Sequence, residues 1–136
     1  MNRRSSARES VAMRVRVVLA CAVFAAASVT AASAAPGDSL VMFVQAGCPY
    51  CAAWDRDVGK VYPKTDEAKV VPVRRVDIHA SRPRDLQAVG GIVYTPTFVI
   101  VHCGRELRRI VGYTGPDNFW GLLDEGVKAI GASAPC

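Results

Sequence analysis

Residues 35–136 read as one α/β domain: a βαβ unit followed by a ββα unit, forming a four-stranded mixed sheet with helices on both faces. Three stretches carry this expectation. Leu40–Gln45 is an almost unbroken apolar run, the pattern of a central strand covered on both sides. It passes through Gly47 into Cys48-Pro49-Tyr50-Cys51, where a helical pattern begins at once. Thr97–Val101 and Glu106–Val111 flank Cys103-Gly104 as two strands flank a hairpin turn.

Ahead of this domain lies a targeting segment. Arg3, Arg4, Arg8, Arg14 and Arg16 precede an uncharged, Ala- and Val-rich run from Val17 to Ala35. Ala32-Ser33-Ala34 has the form of a cleavage site, which makes residues 1–34 a signal peptide and Ala35 the first mature residue. Met13 is an alternative start, and a retained membrane anchor is the alternative fate of the segment. Arg3-Arg4 lacks a convincing twin-arginine continuation, so general secretion is expected. Cys21 has too little apolar chain before it for a lipid-attachment site and is discarded with the signal.

The chain of 136 residues carries +5, but residues 1–34 hold five arginines and one glutamate, leaving +1 on the mature 102 residues. That balance excludes a polyanion or nucleic-acid binder. A chain of this size supports one modest core. Export and four remaining cysteines (Cys48, Cys51, Cys103 and Cys136) place the mature protein in an oxidising space.

The elements follow in order. Pro49 to about Tyr62 is the first helix, closed by Pro63, and Lys64–Lys69 a polar loop. Val70–Ile78 is a strand, with Pro72 pointing to a place near the sheet edge. Ser81 caps a short helix through Val89, ended by Gly90-Gly91. Pro116 opens the last helix, with Phe119, Leu122, Leu123, Val127 and Ile130 along one apolar face.

Cys48 falls where a strand hands over to a helix. The unpaired N–H groups and positive dipole end there favour a thiolate over a thiol. Cys51 lies one turn on, within reach for a small disulfide, so the pair suits thiol–disulfide exchange. The alternative is a structural pair or half a zinc site. Zinc needs two more ligands at suitable spacing, and the sequence has no second Cys-x-x-Cys and no His-x-x-x-His. Neither a metal nor an organic cofactor is expected.

Thr95-Pro96-Thr97 is the second informative feature. A cis bond before Pro96 would present the Thr95 backbone beside Cys48, free to pair with an extended substrate segment.

These features together resemble the thioredoxin superfamily from Leu40 to Ile130. The stretches Gly-Cys-x-Tyr-Cys-x-x-Trp-Asp, Arg-Arg-Val-Asp-Ile, Thr-Pro-Thr-Phe-Val and Gly-Tyr-x-Gly-x-x-x-Phe-Trp-Gly-Leu-Leu are similar to the small periplasmic thioredoxins of bacterial sulfur-oxidation (Sox) clusters, the SoxS type. The resemblance implies a thioredoxin-like fold and a periplasmic reductase that removes a disulfide or sulfur adduct from a sulfur-carrier protein. It also implies a membrane thiol transporter as electron source. Cys48 would attack, Cys51 resolve, and Pro49, Tyr50, Thr95 and Pro96 meet the substrate, the protein acting as a monomer.

The departures are specific. Cys-Pro-Tyr-Cys is the glutaredoxin dipeptide pattern, but the Gly-Gly that receives glutathione follows the cis-Pro strand in that family, whereas Gly90-Gly91 precede it here. The buried Asp that ordinary thioredoxins keep six residues before the first Cys is Met42, and the aromatic before that Cys is Gly47. Rivals to the reductase reading are a general periplasmic disulfide oxidase or isomerase, and an iron–sulfur-binding glutaredoxin-like module with visible absorbance.

In this topology Cys103 and Cys136 come to the sheet end opposite Cys48, either as a structural disulfide or as two separate thiols. His79 and His102 read as loop or turn residues, Asp77 as a strand-end turn residue, and Trp54 and Asp55 as packing positions on the first helix. Tyr113 and Trp120 suit packing, with a partner surface as the alternative, while Arg105, Arg108 and Arg109 suit a solvated hairpin face.

Overall fold

The computed structural model describes residues 37–136; the signal-peptide and anchor readings, and Cys21, lie outside the described residues. Strands β1 (Ser39–Val44), β2 (Val73–Asp77), β3 (Thr97–His102) and β4 (Arg105–Val111) form one mixed sheet in the order β2-β1-β3-β4. β1 pairs in parallel with β2 and antiparallel with β3, and β3 pairs antiparallel with β4. β1 is therefore central, and Leu40 to Phe43 are all fully buried, as a continuous apolar run requires. β2 is an edge strand, which accommodates the missing donor of Pro72; its carbonyl accepts from the Leu40 N–H at 3.1 Å.

Two clusters fill the faces. On the first, Leu40, Met42, Phe98, Ile100 and Ile110 pack against helix α1 (Pro49–Trp54), the chain around Tyr62, and helix α3 (Pro116–Gly131). Trp54 is its centre, with ring centroids 5.5 Å from Phe98 and 5.7 Å from Phe119. α3 approaches so closely that a Cβ on Gly126 would collide with Ile100 Cδ1. On the second face, Val41, Phe43, Val76, Val99 and Val101 are covered by Leu86 and Val89.

Four boundaries differ from expectation, each for a local reason. The first helix is α-helical only to Trp54 and then widens into a π turn over Asp55–Gly59, where the Trp54 ring lies against Gly59. The expected polar loop holds a helix, α2 (Asp66–Val70): Thr65 Oγ1 caps it by accepting from the Ala68 N–H at 3.3 Å, and Asp66 and Glu67 suit its first turn. β2 consequently starts at Val73, since Val70 closes α2. The expected Ser81–Val89 helix is a single 3-10 turn, Arg84–Leu86, because Pro83 is extended (ψ 147°) and disfavours helical geometry at Arg82. The hairpin turn forms as expected, with Cys103 (φ 50°) and Gly104 (φ 73°) both left-handed, the two-residue turn that matches strand twist.

Candidate active site

β1 ends at Val44, and Gly47 (φ 72°) turns the chain into Cys48, which caps α1 in extended geometry (φ −73°, ψ 109°). Pro49 occupies the first helical position, where its fixed φ suits the helix and no N–H is missed. The Cys48 Sγ accepts a hydrogen bond from the Cys51 N–H at 3.1 Å, so the helix start acts directly on that sulfur. Cys48 and Cys51 are joined by a disulfide, with Cα atoms 5.3 Å apart. Both are nearly buried, at 7% and 6% exposure, while Tyr50 between them is 60% exposed.

The Thr95–Pro96 peptide bond is cis. The register sets Thr97 opposite Phe43, so Pro96 and Thr95 continue past the end of the sheet at which the chain turns into Cys48. The bend is pinned on both sides: Thr97 Oγ1 donates to the Tyr94 carbonyl at 2.7 Å, and the Gly112 N–H donates to the Pro96 carbonyl at 2.7 Å. The Thr95 backbone groups have no hydrogen-bond partner among the described residues. Just ahead, Val93 and Tyr94 are strongly exposed. Sequence reasoning missed this pair; their apolar character directly before Thr95-Pro96 is the signal that marks them.

Met42 is fully buried in the cluster that holds Cys48 and Cys51, and among the described residues no Asp or Glu is buried. The Asp57 carboxylate meets the Tyr113 hydroxyl instead, which donates to it at 3.0 Å. Desolvation, with Asp57 adding to it, pushes that phenol up to about 12.

Other residues fall into structural places. Trp54 is core, and the Arg75 guanidinium lies 5.6 Å from its ring centroid while pairing with Asp55. Tyr113 is buried, and Trp120 stacks on Tyr62 at 5.9 Å, so both are packing residues. Asp77 accepts from the His79 N–H at 2.8 Å as a turn residue. Of the hairpin arginines, Arg108 pairs with Glu125, and Arg109 bonds Glu106 and the Gly90 and Gly91 carbonyls. Arg109 thus ties the hairpin to the preceding loop rather than lying free in solvent.

At the opposite end of the sheet Cys103 and Cys136 are joined, with Cα atoms 5.3 Å apart. His102 stands beside them, its Nε2 3.0 Å from the Ala134 carbonyl and its Nδ1 2.7 Å from Asp38 Oδ1. Those two acceptors hold the imidazole above its ordinary pKa. Among the described residues no helix is long and apolar enough to cross a membrane.

The family model described as a thioredoxin-like domain matches residues 24–126. The crystal structure of the periplasmic thioredoxin SoxS from Paracoccus pantotrophus, in reduced form, is 38% identical with a TM-score of 0.65, over 68% of this chain and 97% of that one. Two more distant structures share the fold. One is the Malassezia sympodialis thioredoxin Mala s 13, 23% identical with a TM-score of 0.51 over 68% of this chain and 79% of that one. The other is a thioredoxin-like protein from Clostridium perfringens, 20% identical with a TM-score of 0.50 over 68% and 73%. A comparison with curated proteins found no match. With the family model spanning most of the chain and a 38%-identical thioredoxin matched almost end to end, the protein belongs to the thioredoxin-like family and is a thiol–disulfide oxidoreductase.

Proposed function

We propose that this oxidoreductase works in the periplasm as a reductase of a disulfide or sulfur adduct on a sulfur-carrier protein, and that a membrane thiol transporter restores its dithiol. The observation that carries this reading is the 38% identity to a periplasmic thioredoxin SoxS over 97% of that chain. The Arg-rich, then apolar, residues 1–34 act as the export signal, and residues 35–136 are the working domain.

In the dithiol form, the Cys48 thiolate attacks one sulfur of the substrate bond, forming a mixed disulfide and expelling the other sulfur as a thiolate. Its place at the helix cap, with the Cys51 N–H on its Sγ, favours the anion. Cys51 then loses its proton and attacks the Cys48 sulfur; the substrate thiolate leaves and the Cys48–Cys51 disulfide remains. Two electrons pass to the substrate per cycle. With Met42 where a carboxylate would serve, water takes the Cys51 proton. The substrate strand pairs with the free N–H and C=O of Thr95 beside Pro96, and its side chains rest on Pro49, Tyr50, Val93 and Tyr94.

Cys51→Ser expressed with the leader in a sulfur-oxidising bacterium tests the substrate. One dominant carrier protein disulfide-linked to Cys48 supports the reading. A broad set of unrelated exported proteins replaces it with general disulfide maintenance.

A further inference from the structure

The end of the sheet remote from Cys48 gathers four potential ligand groups from distant parts of the chain. β1 and β3 pair with Ser39 opposite Val101, which brings Asp38 alongside His102. The tight turn sets Cys103 next, and the tail after α3 returns Cys136 to it. One donor atom from each of His102, Cys103 and Cys136 falls within 4.8 Å of the others. The Asp38 carboxylate lies 2.7 Å from His102 Nδ1, and the Cys136 sulfur 3.9 Å from that same nitrogen. A tetrahedral zinc ion with ordinary Zn–S and Zn–N bonds holds its donors about 3.5–3.8 Å apart. The Cys136 sulfur is already near that distance from Nδ1, while the two sulfurs, once their bond is reduced, and the Asp38 oxygen move apart to admit the ion.

The ring is oriented as a ligating histidine is. Its Nε2 side donates to the Ala134 carbonyl at 3.0 Å, which fixes the ring and turns Nδ1 towards Asp38 and the sulfurs. A backbone carbonyl on the far nitrogen is the usual support for a metal-bound imidazole. Asp38 and His102 side chains are largely buried, at 22% and 13% exposure, and Cys136 is exposed. The group borders an open cleft of about 370 Å³, which offers a way in.

We propose that reduction of the Cys103–Cys136 disulfide creates a zinc site from Cys103 Sγ, Cys136 Sγ, His102 Nδ1 and an Asp38 carboxylate oxygen. A dithiol reductant, of which the reduced Cys48–Cys51 pair of a second copy is one example, supplies two electrons and two protons to the distal disulfide and becomes a disulfide itself. Zinc then displaces the two thiol protons, and the one on Nδ1, to solvent. Reoxidation by thiol–disulfide exchange, in which a second disulfide takes the two electrons and leaves as a dithiol, ejects the metal, since the Cys103–Cys136 disulfide offers no thiolate. The site is invisible to motif spacing because its ligands lie 64 and 34 residues apart in sequence.

The test uses the mature chain with Cys48→Ser and Cys51→Ser, so that every remaining thiol belongs to the distal pair. Reduced protein is titrated with Co²⁺ and then Zn²⁺ under anaerobic conditions. The expected result is one equivalent of Co²⁺ with tetrahedral d–d bands and a thiolate charge-transfer band, displaced by Zn²⁺ and absent from the oxidised protein. His102→Ala weakens zinc binding at least ~100-fold, the upper end of what loss of a supporting partner alone costs. Cys136→Ser, at an exposed tail position that leaves the core untouched, removes the charge-transfer signal in proportion. No stoichiometric uptake by the reduced protein, or equal uptake after oxidation, overturns the proposal. So does affinity unchanged in both variants.

Discussion

Replacing Cys103 and Cys136 together by serine removes a link between residues 33 apart in sequence. On the chain-entropy account, a closed loop of that size deprives the unfolded chain of freedom worth ~3–4 kcal/mol at 25 °C. The native tail keeps its other anchors: Ser133 Oγ donates to the Ala129 carbonyl at 2.7 Å, and His102 holds the Ala134 carbonyl. The loss therefore falls almost wholly on the unfolded side. At roughly 4–8 °C per kcal/mol for a domain of this size, the midpoint should drop on the order of 20 °C. Urea unfolding of the double variant beside the parent, both with Cys48–Cys51 oxidised, measures it. The expected result is that loss together with a steeper denaturant slope, because the unlinked chain exposes more surface. A loss below ~1 kcal/mol with an unchanged slope would refute the reasoning.

Gly126→Val forces a branched side chain into Ile100, and thermal unfolding should show a loss of ~1–3 kcal/mol, whereas Gly121→Val, with nothing within 4 Å of its Cβ, should cost less than half as much. Arg74 hydrogen-bonds Asp85 and holds its carboxyl below the ordinary value, which stabilises the fold above the ordinary carboxylate pKa and is lost as pH falls through the lowered one. Asp85→Asn should therefore be less stable than the parent at neutral pH, the two curves converging in acid; parallel curves would exclude the pair as a contributor. Val93→Ser with Tyr94→Ser should raise KM for a protein disulfide several-fold and leave the rate with a small aromatic disulfide unchanged, since only the larger substrate reaches that surface. Equal loss with both substrates would point to damage at Cys48 instead.

The parts of the fold written by one strong physical requirement are legible in the sequence. Leu40–Phe43 must be apolar throughout because both faces of β1 are covered, and Cys103-Gly104 must accept two left-handed residues between paired strands. α2 escapes notice because five polar-rich residues have no apolar periodicity; only the Thr65 cap and the acids behind it announce it. On the second face Ser81–Val89 looks helical in sequence, but the extended geometry of Pro83 leaves one turn while Leu86 and Val89 still supply the burial. At the site, Cys48 and Cys51 stand three residues apart at the start of a helical pattern, so the sequence itself singles them out. Val93 and Tyr94 gain meaning only once the Thr95–Pro96 bend is known to sit at the β1 terminus. The Asp38, His102 and Cys136 grouping depends on strand register and on where the tail after α3 returns, neither of which spacing encodes.

The direction of electron flow rests on the Cys48–Cys51 couple. Its two-electron potential is best measured by equilibrating the protein, with Cys103 and Cys136 replaced by serine, against buffers of defined thiol–disulfide ratio. A reductase requires a value near ~−270 mV, in the range of thioredoxin. A value well above ~−180 mV would make the protein an oxidant of its partners and contradict the reductase cycle.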